Sequence, residues 1–370
     1  MDKASGSGAD RVGAGRADSG TSSTVDVIIP ARNRAHLLPA TLDSVLAQTV
    51  PPQTIWVVDD GSSDGTPALL ETYTSRYANI AVVRTEGVGV SAARNIALRQ
   101  SSAALVAFID SDDVWDPRFV EALSDKFAHA EDDLGLVNCG LMQIDEHGLE
   151  IPGAKRVIPS RKGKILHAIL DEFYGQAPST MMVRRDMALA IGGFDEALFQ
   201  GEDRDFCMRL AETCVADFVP DVLTGLRQHG QNTYESAMRT EPDVVLFQRL
   251  AIWNKFASRS NDPGGLRLAF RNEAARAASI LRQRSDPDEL ALYRRLEESA
   301  IPLARSLFAD PGDYLACVRD WSSRNAARSS RPRGLKAAIA ERVFARSRHL
   351  LSLAHRFGRL TQYTHTPRKR

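Results

Sequence analysis

From residue 25 to about 130 the chain alternates short β-branched runs with helical segments, and this alternation constrains the fold more than any other feature. Residues 25–30, 55–59, 80–84 and 105–110 read as strands; residues 36–48, 66–76, 90–100 and 117–130 read as helices. Strand–helix–strand units cross over with one hand, so the pattern predicts an α/β fold with a mostly parallel sheet flanked by helices. Beyond it the periodicity is less regular, with strand-like stretches at 134–139, 180–183 and 215–220 and a helix at 202–212. From about 241 onward the sequence reads as an α-helical C-terminal extension.

The flanks read differently. Residues 1–23 mix Gly, Ser, Ala, Arg and Asp without periodicity and are expected to be disordered. The core domain is placed at 24–240, a helical extension at 241–333, and a basic amphipathic helix with its tail at 334–370.

Charge and cysteine content remove several function classes. The 47 basic and 47 acidic residues cancel, which argues against a general nucleic-acid binder. From Trp321 to Arg370, however, thirteen Lys or Arg face a single acid, Glu341, so this stretch carries about +12. The four cysteines form no CxxC pair, so neither a disulfide framework nor a zinc site is indicated, and a cytoplasmic location is expected. No apolar run reaches membrane-spanning length and no signal peptide is apparent.

Ligands of open parallel sheets bind beyond the carboxyl ends of the strands. Three polar clusters stand there: Pro30-Ala31-Arg32-Asn33, Asp59-Asp60-Gly61-Ser62-Ser63-Asp64-Gly65-Thr66, and Asp110-Ser111-Asp112-Asp113. The second reads either as a nucleotide-contacting turn or as an Asx turn that caps a helix. The third places three carboxylates within four residues, whose mutual repulsion is relieved by a shared proton or by a hard cation such as Mg²⁺ or Mn²⁺. Asp113 or Asp116 could instead cap the helix opened by Pro117, and capping accounts for Asp116. Downstream, Gly192-Gly193-Phe194-Asp195-Glu196 precedes Gly201-Glu202-Asp203-Arg204-Asp205-Phe206. Acids in a first helical turn suit the helix dipole; one held near a reacting hydroxyl would also serve as a general base, with Asp203 the first choice and Glu202 the second.

In this order the segments VDVIIPARN, VVDDGSSDGT, GVSAARNIAL, FIDSDDVWDP, GGFDE and GEDRDF resemble the inverting family 2 glycosyltransferases, over about residues 24–235. The resemblance implies a GT-A, Rossmann-like fold and a nucleotide-sugar donor. It places Pro30 and Asp60 against the nucleobase, Asp110 on the nucleotide, Asp112 with Asp113 at the metal–diphosphate unit, and Asp203 as base. Arg94 would pair with the diphosphate or with an acidic neighbour, and His229 would lie near the phosphates. Arg32 stands where relatives commonly carry an aromatic residue, and a guanidinium there could stack on the base.

The expected activity is therefore metal-dependent transfer of a sugar to a hydroxyl of a saccharide or lipid-linked saccharide, in surface polysaccharide or glycoconjugate synthesis. A polyprenyl-phosphate sugar synthase and a non-catalytic nucleotide-sugar-binding module are the alternatives. The basic C-terminal stripe fits either the anionic inner face of the cell membrane, as a peripheral anchor, or packing on the domain.

Overall fold

All seven residues of β1 (Val25–Ala31) are buried, as a strand covered by helices on both faces requires. Val27 and Ile29 enter one core and Ile28 the other, following the two-residue period of the strand. Asp26 lies in the same strand at 0% exposure; its carboxylate is satisfied by the Thr54 amide and the Trp56 indole. The computed structural model describes residues 23–166, 168–169, 177–198, 200–229, 252 and 255–256. The expected disordered N-terminal segment, nearly all of the helical extension at 241–333 and the basic helix and tail at 334–370 lie outside the described residues.

After β1 come α1 (Leu38–Leu46), β2 (Thr54–Asp60), α2 (Thr66–Arg76), β3 (Ile80–Thr85), α3 (Val90–Gln100), β4 (Leu105–Phe108), β5 (Val114–Trp115) and α4 (Phe119–Ala128). They are followed by β6 (Leu134–Ile144), β7 (Met181–Arg184), α5 (Arg185–Ala190), α6 (Glu202–Thr213) and β8 (Val215–Arg227). The eight strands form one sheet in the order β3-β2-β1-β4-β7-β6-β8-β5. The half built by the strand–helix repeat, β3-β2-β1-β4, is parallel throughout. Beyond it β7 runs antiparallel to both β4 and β6, β8 is parallel to β6, and β5 is antiparallel to β8. Helices α3, α5 and α6 cover one face, and α1, α2 and α4 cover the other.

Two differences from the sequence reading shape the site. The last strand does not stop at Pro220 but continues to Arg227. Its pairing with β6 jumps from Cys139–Val219 to Gly140–Val222, so Pro220 and Asp221 bulge out of the ladder. A proline, which lacks an N–H, is tolerated at such an irregularity. The fourth strand ends at Phe108, two residues before the expected end, which frees Asp110–Asp113 as a loop. The two-residue β5 and the six-residue α5 carry too few periodic positions to be read from sequence.

Candidate active site

Strands β2, β1 and β4 are neighbours in the sheet, so their carboxyl ends lie side by side. One cavity there is lined by Pro30, Asp60, Asp110, Asp112, Glu202 and Asp203, with Arg32, Arg34 and Arg94 also in its wall. Five segments far apart in sequence are thus brought to one crevice.

The turn after β2 divides its carboxylates between two tasks. Asp59 accepts from the Ser62 amide (3.0 Å), and Asp64 accepts from the amides of Thr66 (2.9 Å) and Ala35 (3.1 Å). These are Asx-type turns, and they account for both residues. Asn33, at φ 53°, ties this turn to the end of β1: its amide donates to Ser62 Oγ and its side-chain oxygen accepts from the Ser63 amide, both at 2.8 Å. Asp60 faces the cavity and is held by Thr85 Oγ1 (2.6 Å) and the amides of Val88 (2.6 Å) and Gly89 (2.9 Å). Partial burial works against ionisation, but these donors and the nearby Arg32 hold the Asp60 carboxyl below its ordinary range.

The loop after β4 is clamped from behind. Asp113 is 1% exposed, and its two oxygens are taken by the Ser179 hydroxyl and the Arg227 amide. Burial, followed by the charges of Asp112 and Asp110, pushes its carboxyl well above the usual range. Expected beside Asp112 at a metal, Asp113 instead has both oxygens occupied in holding the loop to β8. Arg227 completes the clamp, with Nε donating to the Asp112 carbonyl (2.7 Å) and Nη1 to the carbonyls of Asp145 (3.1 Å) and Glu146 (2.7 Å). Ser179 and Arg227 were not singled out from sequence, since only the extension of β8 past its bulge brings Arg227 here.

Asp112 faces the cavity, and its Oδ2 lies 2.9 Å from His229 Nε2 and 3.6 Å from an Arg34 nitrogen. The structure thus brings His229 to the acidic loop. Asp110 takes the other direction, with Oδ1 2.6 Å from Arg94 Nη2; burial raises its carboxyl against the pull of that guanidinium. Arg94 is 2% exposed and bridges Asp110 to Glu202, whose Oε1 is 3.0 Å from Nη1. These two carboxylates are acidic neighbours of the kind expected for Arg94. Burial opposes its charge, but Asp110 and Glu202 hold the guanidinium above its already high range. Among the described residues its Nε has no hydrogen-bond partner, and its Cζ lies over the Phe194 ring, 5.1 Å from the centroid.

Glu202 and Asp203 open α6 directly after Gly201, which takes a left-handed conformation (φ 84°) that turns the chain into the helix. Stacking of Phe194 on Phe206 (4.2 Å between centroids), with Phe108 edge-on to Phe194, packs this helix onto the end of β4. Asn95 fixes the preceding loop by bonds to both the N–H and the carbonyl of Phe194; the close approach of its side chain leaves no room for a Cβ at Gly193. Burial, then the neighbouring Asp203, pushes the Glu202 carboxyl up to about 7 despite Arg94. Asp205, the third acid of this turn, is fully buried against Arg209 and Lys255 and is structural.

Carboxylate and imidazole donors of the Asp112–His229 pair suit Mn²⁺ or Mg²⁺ only if other ligands complete the shell. Among the described residues no group of three or more His, Cys, Asp or Glu could hold an ion alone. A cation bound by one or two protein ligands plus substrate phosphates fits this donor set. No helix among the described residues is long and apolar enough to cross a membrane.

Fold and site together define an α/β protein with a cavity beyond the carboxyl ends of a parallel sheet, walled by carboxylates and arginines. Over residues 26–192 the chain matches the family model described as glycosyl transferase family 2, and there it carries a domain of that family. It is 27% identical over 210 residues to chondroitin synthase of Escherichia coli, covering 56% of this chain and 29% of that protein. It is 41% identical over 92 residues to the putative teichuronic acid biosynthesis glycosyltransferase TuaG of Bacillus subtilis, covering 25% and 36% of the two chains. The chain thus spans about a third of the length of these two relatives. S. aureus TarS 1–349 in complex with UDP-GlcNAc superposes with a TM-score of 0.53 at 18% identity, covering 81% of this chain and 92% of that one. At that identity the likeness establishes the fold, which is GT-A.

Proposed function

We propose that this chain transfers a glycosyl group, with inversion, from a nucleoside-diphosphate sugar to a hydroxyl of a saccharide or lipid-linked saccharide in polysaccharide or glycoconjugate synthesis. The observation that carries the reading is that Asp60, Asp110, Asp112 and Asp203, drawn from three separate segments, line one cavity. Relatives named for chondroitin and teichuronic acid synthesis support the acceptor class, and a fold shared with a protein bound to UDP-GlcNAc supports the donor class.

In this mechanism Pro30, Arg32 and Asp60 seat the nucleobase, and Asp110, fixed by Arg94, holds the nucleotide side of the donor. Asp203 removes the proton of the acceptor hydroxyl as its oxygen attacks the anomeric carbon. The bond from that carbon to the diphosphate breaks, and the electron pair leaves with the diphosphate. Glu202, held by Arg94, stands beside the base and fixes the start of α6. Asp112 and His229 would hold Mn²⁺ or Mg²⁺, which when bound neutralises charge on the leaving diphosphate. Asp113 is left out of this ligand set because both its oxygens are engaged.

The expected location is the cytoplasm, with the basic stripe at 334–370 resting on the anionic inner face of the membrane. Co-sedimentation with anionic liposomes, compared between the full chain and a version ending near residue 330, checks that attachment; equal pelleting removes it. Hydrolysis of a panel of UDP-, GDP-, CDP- and dTDP-sugars by the full chain tests the central reading. Turnover of one class that is lost in Asp203→Asn is expected. No binding and no hydrolysis across the panel would overturn it. Transfer to a polyprenyl phosphate that persists in Asp203→Asn would favour a lipid-phosphate sugar synthase.

A further inference from the structure

We propose that Arg34 is the guanidinium of this chain that grips the donor diphosphate beside Asp112, an assignment that rests on the glycosyl-transfer reading above. Arg34 lies in the loop between β1 and α1 and lines the same cavity as the acidic cluster. Its backbone is fixed: the amide donates to Thr66 Oγ1 at 2.9 Å, and the carbonyl accepts from the amides of Leu37 (3.0 Å) and Leu38 (2.9 Å). The side chain therefore leaves a rigid base.

The three other arginines of this wall are arranged differently. The Arg94 guanidinium is bonded to Asp110 and Glu202, and that of Arg227 to three backbone carbonyls. Arg32 is exposed. Arg34 is only 15% exposed, yet among the described residues its guanidinium makes no hydrogen bond. Its ion-pair partner among the described residues is Asp112 Oδ2 at 3.6 Å, beyond hydrogen-bond range, and that oxygen already faces His229 at 2.9 Å. A largely desolvated cation with five unspent donors in a planar fork matches the bidentate geometry of phosphate oxygens.

This position also explains how Asp112 tolerates its neighbours. With no donor present, Arg34 offsets part of the charge of the Asp110–Asp113 cluster. When a diphosphate enters, the fork reaches its oxygens while keeping Asp112 within ion-pair distance. As the bond from the anomeric carbon to the diphosphate oxygen breaks, that oxygen gains a full negative charge, and a guanidinium already in place stabilises it without reorganisation.

Inorganic pyrophosphate is the probe, because it isolates the phosphate grip from the unidentified base and sugar. Calorimetric titration of the full chain with pyrophosphate, in Mn²⁺ and in excess EDTA, is compared among wild type, Arg34→Gln and Arg34→Lys, with thermal melts confirming that each variant folds. Arg34→Gln is expected to weaken binding about tenfold or more in both media, and Arg34→Lys to recover part of the loss. Equal affinity of Arg34→Gln and wild type, or no pyrophosphate binding by wild type in either medium, would overturn the assignment. The donor panel keeps the two readings separable. Arg34-dependent pyrophosphate binding without turnover of any nucleotide sugar would sink the transferase reading and leave the phosphate site standing. Turnover with unchanged pyrophosphate affinity in Arg34→Gln would do the reverse.

Discussion

Arg94 and Glu202 are 108 positions apart in sequence, yet their side chains meet at 3.0 Å inside the wall of the cavity. The same guanidinium holds Asp110 at 2.6 Å, so one buried cation joins the acidic loop after β4 to the first turn of α6. Removing it leaves the largely buried Glu202 and the partly exposed Asp110 without their counter-charge. Arg94→Met is therefore expected to destabilise the chain by about 3–5 kcal/mol, the range for breaking a buried ion pair from one side. Urea unfolding followed by circular dichroism measures this. A loss below about 1 kcal/mol, as for an exposed pair, would mean that the bridge contributes little.

The contrast with Asp113 shows what the sequence made legible. The parallel half of the sheet followed from its β-branched runs, and the bounds of α2 and α3 agree with the periodicity to the residue. That Asp110, Asp112 and Asp203 share one crevice followed from the rule that ligands bind beyond strand ends, combined with the family resemblance. The division of labour among neighbouring acids did not follow, because it depends on contacts across the fold. Asp59 and Asp60 are adjacent, yet one closes a turn and the other faces the cavity. Asp112 and Asp113 are adjacent, yet the second is taken by Ser179 and Arg227, residues 66 and 114 positions away. Nothing in the local sequence pattern around Arg34 marks a guanidinium whose donors are left unspent by the described residues.

If Asp203 is the base, Asp203→Asn should lower transfer by about 10²–10⁴-fold while donor affinity stays close to wild type, because the base acts only as the acceptor oxygen attacks. Single-turnover transfer assayed beside donor titration separates the two effects. Wild-type rates in this variant would transfer the role to Glu202.

The Asp112–His229 pair is expected to make turnover depend on a divalent cation. Excess chelator should abolish it, and Asp112→Asn and His229→Ala should each raise the Mn²⁺ concentration needed for half-maximal activity by about 10- to 100-fold. Asp113→Asn should leave that requirement near wild type and lower the thermal midpoint instead, since its carboxylate faces Ser179 and the Arg227 amide. Full activity of wild type in EDTA would remove the cation from the mechanism. A metal requirement shifted by Asp113→Asn but unmoved by Asp112→Asn would reverse the assignment of the two acids.

Glu202 makes stability depend on pH in a direction opposite to the usual carboxylate. Its carboxyl rises from an ordinary 4.5 to about 7, because burial and the Asp203 charge outweigh the attraction of Arg94. Between those two values the folded chain holds a proton that the unfolded chain has released, so stability falls as pH rises through this window and levels off above it. Asp110 and Asp113 are shifted upward as well and contribute in the same sense. The thermal midpoint of wild type should therefore decline between about pH 5 and pH 7.5, with Glu202→Gln showing a shallower decline rather than none. The glutamine can still accept a hydrogen bond from Arg94 through its amide oxygen, so the variant is expected to fold. Melts of both proteins across this range, at fixed ionic strength, read the difference in slope. A wild-type midpoint that rises with pH over this interval, or parallel slopes for the two proteins, would show that Glu202 is ionised throughout and that Arg94 outweighs the cost of its burial.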